Sequence, residues 1–234
     1  MALAFVTGGS RGLGFETAKA LKAAGNEVVL FARNTEKLHQ AGQALNSPIE
    51  FVELTDIQAT RNVFKSAVEK YGVPDILMLA HGVMSDRLAK TLKTNDEEWH
   101  RVMTINLDSV FTIINEVGAK MAEARKGRAI VYSACLGRMS GSGNAGGLAP
   151  YRISKAGVNA LVRNLAHETG HGSRGFWIDA ICPNHSRTDM GGENAPRSAA
   201  EGAATAVWLA TRELIPGVTQ TGLLRYLPKV NQFA

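Results

Sequence analysis

The sequence predicts an α/β fold in which a doubly wound parallel β-sheet of about seven strands carries helices on both faces. Two observations predict this fold: short apolar runs alternate with longer segments of helical periodicity, and a glycine-rich turn follows the first apolar run. The chain has 234 residues, 45% hydrophobic and 20% charged, which suits one soluble domain with a complete core. We therefore expect a single domain over residues 1–234, with ligands bound beyond the carboxyl ends of the strands.

The predicted elements follow one another without an internal repeat or a linker. Apolar runs of strand length occur at Leu3–Val6, Glu27–Ala32, Ile49–Glu53, Asp75–Ala80, Arg128–Ser133, Phe176–Cys182 and Gly222–Leu227. Helical patterns lie between them at Phe15–Ala24, Thr35–Leu45, Gln58–Lys70, Glu97–Ala124, Tyr151–Thr169 and Ala199–Ala210. Because a helix separates consecutive strands, we expect the strands to run parallel, with right-handed crossovers.

Composition narrows the class of protein. No apolar run reaches the roughly 20 residues that span a bilayer, and the first residues lack a signal-peptide pattern, so we expect a cytoplasmic protein with no membrane partner. The net charge of +5 comes from scattered Lys and Arg residues, which argues against a nucleic-acid surface. Cys135 and Cys182 lie in apolar contexts and are expected to be free, buried thiols, and no spacing indicates a metal site.

The glycine turn, residues 7–14, reads Thr-Gly-Gly-Ser-Arg-Gly-Leu-Gly and joins a strand to a helix. Its glycines let a phosphate approach the backbone, and the following helix presents free N–H groups and the positive end of its dipole. The turn therefore indicates a dinucleotide site, although an ordinary strand-to-helix turn has a similar composition. Arg11 lies within the turn, where it either neutralises a phosphate or is a solvated side chain.

Tyr151 and Lys155 stand four residues apart at the start of a helix, so both side chains share one helical face. A phenol has an ordinary pKa near ~10, and a neighbouring ammonium favours the phenolate and lowers that pKa. We therefore expect the pair to exchange a proton near neutral pH. The alternative is an aromatic core residue followed by a solvated lysine.

Together these motifs resemble the short-chain dehydrogenase/reductase family over nearly the whole chain. The T-G-x-x-x-G-x-G turn matches residues 7–14, the Y-x-x-x-K pair matches Tyr151 and Lys155, and Asn106 matches the helix asparagine of the family's proton relay. Residues 187–198 resemble the carbonyl-reductase branch. The resemblance implies a Rossmann-type, NAD(P)-binding domain with substrate loops at about 81–96, 134–150 and 183–200.

The family's residue roles extend to the matching positions. The resemblance implies that Tyr151 protonates a carbonyl oxygen as general acid, that Lys155 holds the cofactor ribose and lowers the Tyr151 pKa, and that Asn106 helps to fix a water molecule. It also implies cofactor contacts from the glycine turn and the ends of the strands, at Gly8, Ser10, Arg11, Leu13, Gly14, Arg33, Glu53, Leu54, Ala80, Gly82, Tyr151, Lys155, Pro183 and Thr188.

The expected cofactor is NADPH/NADP+. Family members that prefer NAD end the second strand with an acidic residue that binds the ribose 2′-hydroxyl. Here Ala32 and Arg33 occupy that place, and Arg11 comes from the glycine turn. Two guanidinium groups that converge on one spot suit a 2′-phosphate, which a carboxylate would repel.

Three segments depart from the family pattern, all at the substrate end. Leu79-Ala80-His81-Gly82 stands where relatives have Asn-Asn-Ala-Gly, and His81 is either a packed side chain or an acid in the pocket. Pro183-Asn184-His185-Ser186 stands where relatives have Pro-Gly, which indicates either altered substrate selection or an ordinary surface loop.

The third departure concerns the catalytic serine. With the flanking glycines aligned, the family's serine falls on Ala134, and the adjacent Ser133 points to the opposite face unless the strand has ended or bulges there. Ser133 is the first candidate for the serine's role and Ser140 the next, and an alternative register also admits Ser142. If no serine donates to the carbonyl oxygen, the transition state loses a hydrogen bond worth on the order of 3 kcal/mol.

The leading hypothesis is an NADPH-dependent oxidoreductase that reduces a ketone, aldehyde or quinone of small or medium size to an alcohol. The alternatives are a non-redox lyase, isomerase or cyclase that uses Tyr151 as acid and base, and a catalytically silent cofactor-binding protein. Intact Tyr151, Lys155 and Asn106 favour an enzyme. Relatives often pair through their long helices, so a homodimer or homotetramer is expected unless the glycine-rich segment Ser140–Gly147 covers that surface.

Overall fold

The computed structural model describes residues 1–86, 89–141 and 146–226 of the chain. Its strands form one parallel sheet in the order β3-β2-β1-β4-β5-β6-β7, which confirms the predicted doubly wound topology. The strands are β1 (Leu3–Thr7), β2 (Glu27–Ala32), β3 (Ile49–Phe51), β4 (Ile76–Leu79), β5 (Arg128–Tyr132), β6 (Trp177–Ile181) and β7 (Leu224–Arg225).

Within the described residues, six long helices connect the strands, close to their predicted positions. They are α1 (Gly12–Ala23), α2 (Thr35–Leu45), α3 (Ile57–Tyr71), α4 (residues 96–123), α5 (Ala149–Glu168) and α6 (Ala199–Thr211). Helix α4 is continuous, but two π-helical turns, Thr104–Asp108 and Ile114–Gly118, interrupt its α-helical geometry. Such turns are not visible in a 3.6-residue periodicity, and they often occur at functional sites.

The two faces of the sheet bury separate core layers. Alternate strand residues point to opposite sides, so Phe5 packs with α3, α4 and α5, whereas Ala4 and Val6 pack with α1, α2 and α6. On the first face Phe31 stacks on Phe64 with ring centroids 4.6 Å apart. Because all the strands run parallel, their carboxyl ends lie at one edge of the sheet, where the loops can converge.

Every strand except β2 differs from its predicted bounds at one end or both. β3 ends at Phe51 rather than at Glu53, because the chain turns there and the Glu53 carboxylate accepts hydrogen bonds from the N–H and hydroxyl groups of Thr55. β7 is shorter than Gly222–Leu227, and Leu227 lies outside the described residues. Within the described ranges, no helix has both the length and the apolar character needed to span a bilayer.

Close packing of the glycine turn makes it sensitive to a single methyl group. A Cβ atom at Gly14 would lie 2.3 Å from the carbonyl oxygen of Gly8. Gly14→Ala is therefore expected to lower the free energy of unfolding by about 1–3 kcal/mol, the usual cost of overpacking, as measured by chemical denaturation. Gly146→Ala is the matched control, because a Cβ atom at Gly146 would meet no atom within 4 Å. Equal losses in the two variants would contradict this explanation.

Candidate active site

One cleft at the carboxyl edge of the sheet brings together most of the predicted cofactor contacts. It is formed by the glycine turn, the ends of β2, β3 and β4, and the segment after β6. The predicted residues that line it are Gly8, Ser10, Arg11, Leu13, Gly14, Arg33, Glu53, Leu54, Ala80, Gly82 and Thr188. The cleft therefore joins predicted residues that lie up to 180 positions apart, from Gly8 to Thr188.

Several residues that line the cleft were not among the sequence-predicted contacts. Asn34 and Val52 adjoin the predicted residues Arg33 and Glu53, so the ends of β2 and β3 could have indicated them. Ile105 comes from the first π-helical turn of α4, which the sequence does not reveal. Asp189 and Met190 follow the predicted Thr188 on the segment after β6. The other lining residues that were not predicted are Gly12, Phe31, Ala32, His81 and Val83.

The residues of this cleft fit an anionic dinucleotide. Gly8 has φ +65°, and a Cβ atom there would lie 3.0 Å from the backbone of Ala80, so the turn requires glycine. Arg11, the N-cap residue of α1, makes no side-chain capping bond, and the first turn of α1 contains no acidic residue. The amide groups at this helix start therefore remain available to a phosphate.

A second group of residues surrounds the end of β5. Lys155 is buried, and its Nζ donates a 2.7 Å hydrogen bond to the carbonyl oxygen of Tyr132. The same Nζ lies 5.9 Å from the ring centroid of Tyr151. A Cβ atom at Gly82 would lie 3.5 Å from this Nζ, so Gly82 links the group to the cleft described above. Glycine is the one family residue kept in that segment, and it leaves space beside Lys155.

Asn106 fixes the chain that follows β4. Its side-chain oxygen accepts a 2.8 Å hydrogen bond from the Val83 N–H, and its amide group donates to the carbonyl oxygen of Val83 at 2.9 Å and to the Ser154 hydroxyl at 3.1 Å. Asn106 lies in the first π-helical turn of α4, and Ser154 immediately precedes Lys155 on α5. Ser154 was missed from the sequence although it stands inside the Y-x-x-x-K motif.

Burial shifts both members of the Tyr151–Lys155 pair towards their neutral forms. Burial, with a smaller contribution from nearby Cys182, raises the pKa of Tyr151 to about 12, and burial lowers the pKa of Lys155 to about 8. The expectation that Lys155 holds the Tyr151 pKa below its ordinary value is therefore wrong. The reason is that burial disfavours the phenolate, while the Lys155 ammonium donates its hydrogen bond to the carbonyl oxygen of Tyr132. The phenol keeps its proton at neutral pH.

Ser133 follows the last residue of β5, and its hydroxyl bonds residues in the middle of α5 instead of Tyr151. Its hydroxyl donates a 2.6 Å hydrogen bond to the side-chain oxygen of Asn159 and a 3.3 Å bond to the carbonyl oxygen of Lys155. Ala134, in contrast, belongs to a small buried cluster with Tyr151 and Val102. These contacts correct the expectation that Ser133 serves the carbonyl oxygen. Ser140 is exposed in the loop that follows, and Ser142 lies outside the described residues.

His81 is a packed side chain that connects β1 to α4. One ring nitrogen lies 2.6 Å from the Thr7 hydroxyl and the other lies 2.9 Å from the Ser109 hydroxyl. Burial lowers the pKa of His81 to about 3, with a further lowering by the charge of Lys155, so the ring is neutral at physiological pH. Of the two sequence-based alternatives for His81, the geometry supports the packed histidine.

The segment after β6 is ordered by its own hydrogen bonds. Asn184, which stands where relatives have glycine, has φ +57°, a left-handed conformation that asparagine tolerates better than most residues. His185 Nε2 lies 2.7 Å from the carbonyl oxygen of Gly191, and the Ser186 hydroxyl donates to the carbonyl oxygen of Pro183. Pro183 therefore precedes a compact turn, which carries Asp189 to the cleft.

The two cysteines lie at adjacent strand ends as free thiols, as expected. Cys182 is buried, whereas Cys135 is only half-buried, because it lies beyond the end of β5. The N–H of Cys135 donates to the sulfur of Cys182 at 3.0 Å. Burial, with the neighbouring Cys182 thiol, raises the pKa of Cys135 to about 12, which makes it a poor nucleophile.

A phosphate-binding turn beside a buried phenol and a buried ammonium is the arrangement of a dinucleotide-dependent oxidoreductase. Comparison with known proteins agrees: a family model described as short chain dehydrogenase matches residues 2–199, and the chain belongs to this family. The carbonyl-reductase branch is compatible with these comparisons but is not specified by them.

Individual proteins are similar to this chain in sequence or in structure. The chain is 34% identical over 187 residues to 3-oxoacyl-(acyl-carrier-protein) reductase from Rickettsia conorii, covering 79% of this chain and 73% of that protein. Among solved structures, ribose-5-phosphate isomerase from Brucella melitensis 16M has a TM-score of 0.83 at 25% identity, covering 95% and 89% of the two chains. A blue fluorescent protein from a metagenomic library, in complex with NADPH, has a TM-score of 0.82 at 22% identity, covering 95% and 94%, and shares the fold.

Burial of Lys155 predicts a pH-dependent stability. Because the Lys155 pKa is about 8 in the folded chain, below its ordinary value of 10.5, the unfolded chain binds more protons between these pH values. The contribution of Lys155 to the free energy of unfolding therefore rises as pH increases through this window. Lys155→Met should remove that rise, which urea denaturation at several pH values between ~7 and ~10 would measure. The exposed Lys65→Met is the matched control and should keep it; the same pH dependence in all three proteins would exclude a depressed Lys155 pKa.

Proposed function

We propose that the chain is an NADPH-dependent reductase that converts the carbonyl group of a small or medium ketone, aldehyde or quinone into an alcohol. The observation that carries the proposal is a buried Tyr151 phenol whose ring centroid lies 5.9 Å from Nζ of the buried Lys155, beside Gly82 of the cleft that contains the glycine turn. The identity with a 3-oxoacyl reductase supports a ketone as substrate. A protein of this fold that contains NADPH supports the choice of cofactor.

The cleft suits the cofactor because Arg11 and Arg33 supply positive charge and the glycine turn lets a phosphate approach the backbone. The backbone of the glycine turn and the start of α1 would hold the pyrophosphate, and Arg11 and Arg33 would hold the 2′-phosphate. Arg33 is exposed at the end of β2, and it forms no ion pair within the described part of the chain. When bound there, the nicotinamide supplies a hydride to the substrate carbon.

The protein supplies the proton. A phenol with a raised pKa remains loaded with its proton across the neutral range and can donate it as negative charge develops on the carbonyl oxygen. Charged Lys155 stabilises the phenolate that remains, and this contribution is present below its pKa of about 8. Ala134, which shares a buried cluster with Tyr151, has no hydroxyl to offer the carbonyl oxygen, so the proposal assigns proton donation to Tyr151 alone.

Binding and turnover measured together test the proposal. Fluorescence titration of the protein with NADPH and NADH gives the two dissociation constants, and nicotinamide absorbance then reports turnover with a panel that includes a 3-oxoacyl thioester, an aldehyde and a quinone. We expect tighter NADPH binding and oxidation with a member of the panel. Substrate loss by mass spectrometry without NADPH oxidation would favour the non-redox lyase, isomerase or cyclase, and binding without any conversion would favour a silent cofactor-binding protein.

Removal of the Tyr151 hydroxyl should stop proton donation but not cofactor binding. Tyr151→Phe is expected to lower kcat by roughly 100-fold or more, since general acid catalysis typically contributes a factor of 10²–10⁴. The NADPH dissociation constant should change by less than about twofold, because the ring is retained. Tyr71→Phe is the control: it deletes a hydroxyl that bonds Glu50 on the edge strand β3, and Tyr71 does not line the cleft. Full activity in Tyr151→Phe would exclude the assigned role.

Restoring a hydroxyl at position 134 should improve the enzyme. Ala134→Ser places a donor against Tyr151, where the family has its serine, and is expected to raise kcat by about 10- to 100-fold. Ser133→Ala serves as the comparison: it should lower thermal stability, because the bond to Asn159 is lost, and change kcat little. The reverse result, a loss of kcat in Ser133→Ala and no gain in Ala134→Ser, would return the catalytic role to Ser133.

A further inference from the structure

The two walls of the cleft are joined by an ion pair between Arg11 and Asp189. Arg11 belongs to the glycine turn and Asp189 to the segment after β6, and both residues line the cleft. Their side chains are 55% and 67% exposed, so the pair lies at the mouth of the cleft and not in the core. Beside it, a Cβ atom at Gly12 would lie 3.3 Å from the side chain of Thr188, so the walls approach closely here.

The ion pair occupies one of the two arginines assigned to the 2′-phosphate. Arg33 lines the same cleft and makes no ion pair within residues 1–86, 89–141 and 146–226. The Arg11 guanidinium, in contrast, already donates to a carboxylate. A phosphate bound by Arg11 would bring its negative charge next to that of Asp189, which is unfavourable.

We propose that Asp189 competes with the cofactor's 2′-phosphate for Arg11 and thereby limits how strongly the chain prefers NADPH over NADH. The inference rests on the proposed function, because it assumes that Arg11 binds the 2′-phosphate. Asp189 is a positioning residue in this scheme: it acts through Arg11 and does not touch the reacting atoms. NADH carries no 2′-phosphate, so its binding does not require Arg11 to leave Asp189.

The exposure of the pair sets the size of the effect. Exposed ion pairs are weak and screened by salt, so a phosphate with about two charges displaces the single charge of Asp189 without preventing cofactor binding. Removing the carboxylate frees Arg11 and also removes a like charge from the cleft. We expect a threefold to tenfold gain in NADPH affinity, on the order of what an exposed pair contributes, and less than a twofold change for NADH.

The fold of the segment does not depend on the Asp189 carboxylate. The N–H of Gly191 donates to the Thr188 hydroxyl at 3.0 Å, and the N–H of Gly192 donates to the Thr188 carbonyl oxygen at 2.8 Å. Gly191 also packs directly on the backbone of Ser186. An isosteric change from carboxylate to amide should therefore leave this turn in place.

The experiment compares Asp189→Asn with Glu193→Gln, which removes the same charge from the same segment without touching Arg11. Fluorescence titration at low salt gives the dissociation constants of NADPH and NADH for each protein. We expect the ratio of NADH to NADPH dissociation constants to rise threefold to tenfold in Asp189→Asn and to stay near the original value in Glu193→Gln. The gain should shrink as salt is added, because screening weakens both the pair and the repulsion.

The same titrations in an Arg11→Ala background separate the inference from the proposed function. In that background Asp189→Asn should change the ratio by less than about twofold, since no guanidinium remains to be released and only a screened repulsion of the phosphate is lost. If Arg11→Ala leaves NADPH affinity unchanged in the otherwise original chain, the assignment of the 2′-phosphate to Arg11 fails. If Arg11→Ala weakens NADPH binding but Asp189→Asn leaves it unchanged or weakens it, competition is excluded; weaker binding would instead make Asp189 part of a strap that closes over the cofactor.

Discussion

The buried ammonium of Lys155 is the constraint on which the candidate site depends. A charge in the protein interior must find acceptors, and the carbonyl oxygen of Tyr132, the last residue of β5, provides one. The chain that follows β5 is held on the same helix, because a Cβ atom at Gly137 would lie 2.5 Å from the Lys155 backbone and Ser133 bonds Asn159. Helix α5 and the end of β5 are thus fixed to each other. These contacts also position Tyr151, which lies on the first turn of α5.

The opposite side of the site is held by α4. Its first π-helical turn contains Asn106, which binds both backbone groups of Val83, and it is followed by Ser109, which contacts His81. These bonds replace the family's Asn-Asn-Ala sequence after β4 with a different set of partners. The one glycine of that sequence that remains is Gly82, and a Cβ atom at this position would lie 3.5 Å from Lys155 Nζ. The residues that replace the family's Asn-Asn-Ala sequence therefore change the hydrogen bonds around the site, while Gly82 keeps the space beside the Lys155 ammonium.

The sequence was sufficient for the fold and for most of the cleft, because hydrophobic periodicity and the order of strands determine which loops meet at the carboxyl edge. It was insufficient where the outcome depends on side-chain environment. The Tyr151–Lys155 spacing gives proximity but not burial, and burial reverses the expected direction of the Tyr151 pKa. Ser133 and Ala134 are adjacent at the end of β5, but Ser133 bonds Asn159 and Ala134 lies in the cluster with Tyr151. No pattern in the sequence distinguishes these two environments. The partner of Arg11, Asp189, lies 178 residues away and has no sequence signal.

The central claim is that the chain transfers a hydride from NADPH to a carbonyl carbon while its own phenol supplies the proton. Product analysis with NADPH that carries deuterium at the transferable C4 position tests it most directly. We predict an alcohol with one deuterium on the carbon that bears the hydroxyl group and, in ordinary water, a hydroxyl proton that comes from the protein and solvent. A converted product without deuterium on that carbon, formed while NADPH remains unoxidised, would contradict the claim and point to non-redox chemistry on the same fold.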